Sequence, residues 1–178
     1  MGLLTSLRRM FRPHEITPTM PDTSEQHLRS HTGGELETFQ AAIHEYIEPL
    51  AAKCELSLVQ IDQELYALVA PGFYIKFYCA GGHGYNFTVT IGPTFEPKWN
   101  TQDERGLPWL VQYVGKHSWT HDRYGSRRSY SEAIAHLAAL LPSYIDFLKK
   151  ASPSFWPEFY EFTRVQIAKA SVQQTLKT

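Results

Sequence analysis

The chain has 178 residues, the length of one domain. Hydrophobic residues make up 43% and charged residues 20%, which supports a packed core and excludes global disorder. A formal net charge of -1 excludes a whole-chain field that would select nucleic acid or an anionic membrane.

The first 33 residues read as a flexible basic segment and linker. In "MGLLTSLRRMFRP", Leu3, Leu4, Leu7 and Phe11 fall at helical spacing among Arg8, Arg9 and Arg12. "MGLLTS" also fits the loose pattern for acylation at Gly2, with arginines close behind as a second anchoring signal. The plainer reading is a short basic start. "LLTSL" is too short for a secretory signal, and no apolar run approaches the ~20 residues of a membrane span. Two cysteines, Cys54 and Cys79, cannot form a disulfide framework and read as buried thiols. A cytoplasmic protein is the expectation.

The domain is expected over 34–168. "ELETFQAAIHEYIEPLAAKC" places Leu36, Phe39, Ile43, Ile47 and Leu50 on one helical face, with Pro49 bending or shortening the last turn. "ELSLVQI", "LYALVA" and "GFYIKFYCA" read as strands. "GGHG" does not lead into a helix, as a phosphate cradle must, but into "YNFTVTIG", which alternates like another strand. The glycines then serve a hairpin turn with His83 at its tip. Ile75, Phe77, Cys79, Phe87, Val89 and Ile91 share the expected core face. Tyr74, Lys76, Tyr78, Asn86, Thr88 and Thr90 share the other, expected to be wet. Tyr74 and Tyr78 there are either plain amphipathic cover or contacts for a partner.

"GPTFEPKWNTQDERG" reads as a long polar loop whose Asp103 and Glu104 are solvated. "LPWLVQYVG" fits a helix with Pro108 in its first turn and Gly115 after its end, and fits a strand equally well; helix is preferred. "SYSE" at Ser129–Glu132 is a capping box opening a helix with Ile134, Leu137, Leu141, Ile145 and Leu148 inward and a kink near Pro142. "SFWPEFYEFTRVQIAKA" is the last helix, with Phe155, Phe159 and Phe162 on one stripe and Trp156, Tyr160 and Ile167 beside it. The tail, 169–178, is expected to fray. The order is α-β-β-β-β-α-α: an α+β fold with three to four antiparallel strands and helices packed on one face.

The densest segment for chemistry is 116–130, with Lys116, His117, Trp119, His121, Asp122, Arg123, Tyr124, Arg127, Arg128 and Tyr130. Three readings compete. His117 and His121 are spaced for one metal ion with Asp122 adjacent, which would suit a metal-dependent hydrolase, although a further ligand must come from elsewhere. Arginines among Trp and Tyr also suit phosphates and stacked bases, against the near-neutral charge of the chain. Trp119, Arg123, Tyr124, Arg127 and Arg128 are equally the residue types of protein-binding hot spots. The plain alternative is a solvated loop with Trp119 plugged into the core. No G-x-S-x-G elbow or other nucleophile pattern occurs, and no catalytic residue or cofactor is assigned.

The strand pair "FYIKFYCAGGHGYNFTVTIGP", the phrase "GLPWLVQYVG" and the ending "AHLAALLPSYIDFLKKASPSFWPEFYEF" resemble small uncharacterised bacterial α+β proteins, many of which are similar to immunity proteins encoded beside secreted toxins. The resemblance spans about residues 35–168 and is one of overall pattern. It implies a protein that binds and blocks a toxin or effector, with no catalytic residues to carry over.

Overall fold

The computed structural model of the chain describes residues 33–79, 87–98, 102–115 and 129–175. Residues 1–32, 80–86 with His83, 99–101, 116–128 and 176–178 lie outside the described residues.

The chain opens with α1 (Gly33–Ala42), a π turn (Ile43–Ile47) and α2 (Glu48–Lys53), which run without a break. Pro49 neither ends nor shortens this rod. It has no N–H to give, and in an α-helix its ring would collide with the carbonyl four residues back. The wider turn just ahead of it closes instead through an i→i+5 bond from Glu48 N to Ile43 O. Phe39, Ile43, Ile47 and Leu50 are buried as their spacing requires, and Leu36 is half-buried.

Five strands follow: β1 (Ser57–Gln60), β2 (Leu65–Ala70), β3 (Phe73–Cys79), β4 (Phe87–Gly92) and β5 (Arg105–Gly106). They pair antiparallel in sequence order, with β3 and β4 in register from Tyr74↔Gly92 to Cys79↔Phe87. Then come α3 (Leu107–Val114), α4 (Tyr130–Lys149) and α5 (Phe155–Thr175). The expected α+β class holds. The strand count and order do not: with the α1–α2 rod counted once, the described order is α-β-β-β-β-β-α-α-α, because β5, two residues long, adds a strand through Thr90↔Gly106 and Ile91↔Arg105, and α3 adds a helix ahead of α4.

The helix preference for 107–114 is borne out. Pro108 sits in the first turn, and Gly115 ends the helix at φ 68, a left-handed position that favours glycine. Ser129 caps α4 by accepting from Glu132 N at 3.3 Å. The helix runs through Pro142 to Lys149. α5 continues past Ala168 to Thr175, with residues 167–172 exposed. Among the described residues, no helix is long and apolar enough to cross a membrane.

One face of the sheet carries Tyr66, Leu68, Phe73, Ile75, Phe77, Cys79, Val89 and Ile91 into a single core with all the helices. Tyr130 joins this core rather than the surface; its hydroxyl shares a 3.0 Å hydrogen bond with Cys79 Sγ. Cys54 is only half-buried, at the end of α2.

Two positions test this packing. A Cβ at Gly92 would lie 2.6 Å from Tyr74 Cζ, inside a buried ring, so Gly92 is where the tyrosine crosses its neighbouring strand. Gly92→Ala should destabilise the fold by about 1–3 kcal/mol in denaturant unfolding. The buried Tyr144 hydroxyl has no hydrogen-bond partner among the described residues. Tyr144→Phe should leave stability unchanged or raise it by about 1 kcal/mol, read in the same assay.

Candidate functional site

The second face of the sheet holds the largest departure from the sequence reading. Tyr74 and Lys76 are not wet: both are 0% exposed. Thr90 is buried beside them, and Tyr78 and Thr88 are half-buried. A lysine ammonium inside a protein needs an opposite charge and a partner for each proton. Lys76 has them. Nζ pairs with Glu104 Oε1, donates to Lys98 O at 2.7 Å, and stands 5.0 Å from the Tyr74 ring centroid. Glu104, expected in a solvated loop, is the hub. Its Oε1 also accepts from Tyr74 OH at 3.2 Å, and its Oε2 accepts from Thr90 Oγ1 at 3.2 Å. Phe95 packs edge-on against Tyr74 with centroids 5.8 Å apart. The residues flanking Glu104 thus lie along the polar side of β3 and β4 and are pinned there by charge.

The backbone alternates at this point. Glu104 faces the sheet, and its neighbours build a rim at the surface. Arg105 is half-buried with its guanidinium 4.7 Å over the Tyr160 ring. Its Nε donates to Thr163 Oγ1 at 3.2 Å, and Nη1 donates to Gln102 O at 3.1 Å and Glu104 O at 2.7 Å. Tyr160 OH donates to Asp103 O at 2.9 Å. One turn back on α5, Trp156 Nε1 donates to Gly72 O in the β2–β3 turn at 3.2 Å. Three separate elements therefore fix one surface of Trp156, Tyr160 and Arg105.

Burial pushes the Tyr160 hydroxyl up to about 12, helped by the Asp103 carboxylate and opposed by Arg105. The free value is 10.0, so this contribution to stability is complete below pH 10 and fades as pH rises toward 12.

A concavity of about 510 Å³ lies where α3, α4 and α5 meet over Tyr113, Phe147 and Phe155. Its rim groups bond one another: Lys150 Nζ to Asp146 at 2.8 Å, and Tyr113 OH to Glu158 at 3.3 Å.

Of the residues singled out from sequence, Trp119, Arg123, Tyr124, Arg127 and Arg128, with the metal alternative His117, His121 and Asp122, lie outside the described residues. Tyr74 is sealed beneath Glu104 and Phe95 and cannot meet a partner there. Tyr78 keeps a half-exposed place on the same face. Among the described residues, no group of three His, Cys, Asp or Glu side chains is placed to hold a metal ion. Comparison with protein-family models, curated proteins and solved structures finds no match.

The buried pair is open to a double-mutant cycle. Lys76→Met alone, or Glu104→Leu alone, leaves a charge buried and unpaired and should cost about 3–5 kcal/mol. The double replacement should recover most of that loss. Chemical denaturation of the four proteins reads the coupling, and additive single losses would contradict the pair.

Proposed function

We propose that this chain is a non-enzymatic protein-binding module, of the immunity type that binds and neutralises a toxin or effector protein. The observation that carries the reading is the rim of Trp156, Tyr160 and Arg105. Tryptophan, tyrosine and arginine dominate binding hot spots. Here all three are half-exposed and already fixed by hydrogen bonds to backbone carbonyls or a neighbouring side chain, so a partner need not order them. The composition of 116–128, with Trp119, Arg123, Tyr124, Arg127 and Arg128, supports the same reading from sequence. The buried Lys76, Glu104, Tyr74 and Thr90 favour a structural role over a catalytic one, since their polar atoms are engaged with one another.

The alternatives rest on sequence alone: a metal-dependent hydrolase through His117, His121 and Asp122, and a nucleic-acid surface through 116–130. Metal analysis of tag-free protein separates the first from the proposal.

The test begins with capture of the partner from the native host and an assay of its inhibition. Trp156→Ala and the double replacement Arg123→Ala with Arg127→Ala should each weaken binding by roughly thirtyfold, about 2 kcal/mol, by calorimetry. The arginine pair should leave the melting curve in place, since arginine is mostly a surface residue type and surface changes cost a fold within about 0.5 kcal/mol. Wild-type affinity in both variants would remove these surfaces from the interface. A captured partner whose activity is untouched would overturn the inhibitor reading.

A further inference from the structure

We infer that Arg105 is the receptor for a carboxylate of the partner, an aspartate or glutamate side chain presented to the rim. The inference rests on the protein-binding reading and sharpens it to one chemical contact.

A guanidinium carries five N–H donors in a planar fork. Three are spent inside the protein, on Thr163 Oγ1, Gln102 O and Glu104 O. All three acceptors are neutral oxygens. The two N–H groups of Nη2 have no partner among the described residues, and none of the described carboxylates forms an ion pair with Arg105. The other described arginine shows the contrast: Arg164 spends its fork on Glu161 at 2.9 and 2.7 Å. Arg105 is thus a half-buried cation stacked on Tyr160, with Nη2 unpartnered among the described residues.

An arginine that pairs with a carboxylate ordinarily loses rotamer freedom on doing so. For Arg105 that loss has already occurred on folding, because Thr163, two backbone carbonyls and a ring hold the group. A planar oxyanion arriving at Nη2 meets a fixed donor edge with aromatic walls from Tyr160 and Trp156, whose rings are 5.9 Å apart. Among the described residues, the charged groups flanking the site include Asp103, whose carboxylate is felt by Tyr160, Glu104, whose carboxylate is engaged by Lys76, and the exposed Glu161–Arg164 pair on α5. Asp103 is exposed and competes electrostatically with an incoming anion. Its role in holding Tyr160 uses only its backbone carbonyl, so its side chain can be neutralised without loosening the rim.

The experiment titrates 15N-labelled full-length protein with capped tetra-glutamate, capped tetra-lysine and inorganic phosphate. The Arg105 Nε–H and Trp156 indole N–H signals are followed. The expected result is a saturable shift of both with tetra-glutamate and none with tetra-lysine. Arg105→Gln should abolish the Trp156 shift, and Arg105→Lys should weaken it about tenfold, since a point charge lacks the fork. Asp103→Asn should tighten it. Circular dichroism checks that each variant is folded; the wild-type titration needs no variant. Absence of a saturable shift, or a shift kept in folded Arg105→Gln, would overturn the proposal. A shift as strong with phosphate would overturn its assignment to a protein carboxylate. None of these failures touches the broader reading, which stands or falls on the captured partner.

Discussion

The structure turns on one buried ion pair. Lys76 in the middle of β3 cannot be left on a covered sheet face without Glu104, and Glu104 has no reason to leave solvent except Lys76. Removing two charges from water costs several kcal/mol per ion, so the pair adds little net stability. It contributes placement. Four hydrogen-bonding groups, from β3, β4 and the Lys98 carbonyl, converge on this one point. Among the described residues, no position on that face other than Lys76 supplies a cation to receive Glu104.

From that placement the surface follows by the geometry of an extended chain. With Glu104 on the polar face beside Thr90, Arg105, which pairs with the core residue Ile91, falls on the opposite, helix-bearing face. Arg105 lands on Tyr160 and begins β5, and the Asp103 carbonyl receives the tyrosine hydroxyl. α5 is thereby tied to the sheet at both ends of its packed half, at Gly72 through Trp156 and at Arg105 through Thr163. Beyond that point Gln166 is half-buried, Ala170 is exposed, and Ile167 stays 49% exposed.

Local rules carried much of this into the sequence. Apolar spacing fixed the helical faces, period-two alternation fixed the core side of β3 and β4, and the cap at Ser129 and the stop at Gly115 stood at their own residues. What was illegible was long-range. Alternation marks Tyr74, Lys76 and Thr90 as sharing a face, but not what covers it. The cover comes from Glu104, 28 residues on from Lys76, in a stretch whose proline and polar content read as loop. β5 has two residues and no pattern of its own. Tyr130 sat in the polar 116–130 segment with nothing to mark it as core, yet the first turn of α4 faces Cys79. The rim was half legible: Trp156 and Tyr160 stood beside the phenylalanine stripe, while Arg105 had no signal without Glu104 beneath it. A lone lysine among strand aromatics was the available hint, since such a charge must find a partner or water.

The central claim is that the buried pair holds β5 and the rim in place. Amide hydrogen exchange in Glu104→Gln, which keeps the side-chain shape and removes the charge, tests it most directly. The account predicts that Arg105 and Gly106 lose protection while the β2 and β3 amides keep theirs, because the change releases one segment and spares the core. Unchanged protection at Arg105 and Gly106, or an equal loss across every strand, would contradict it.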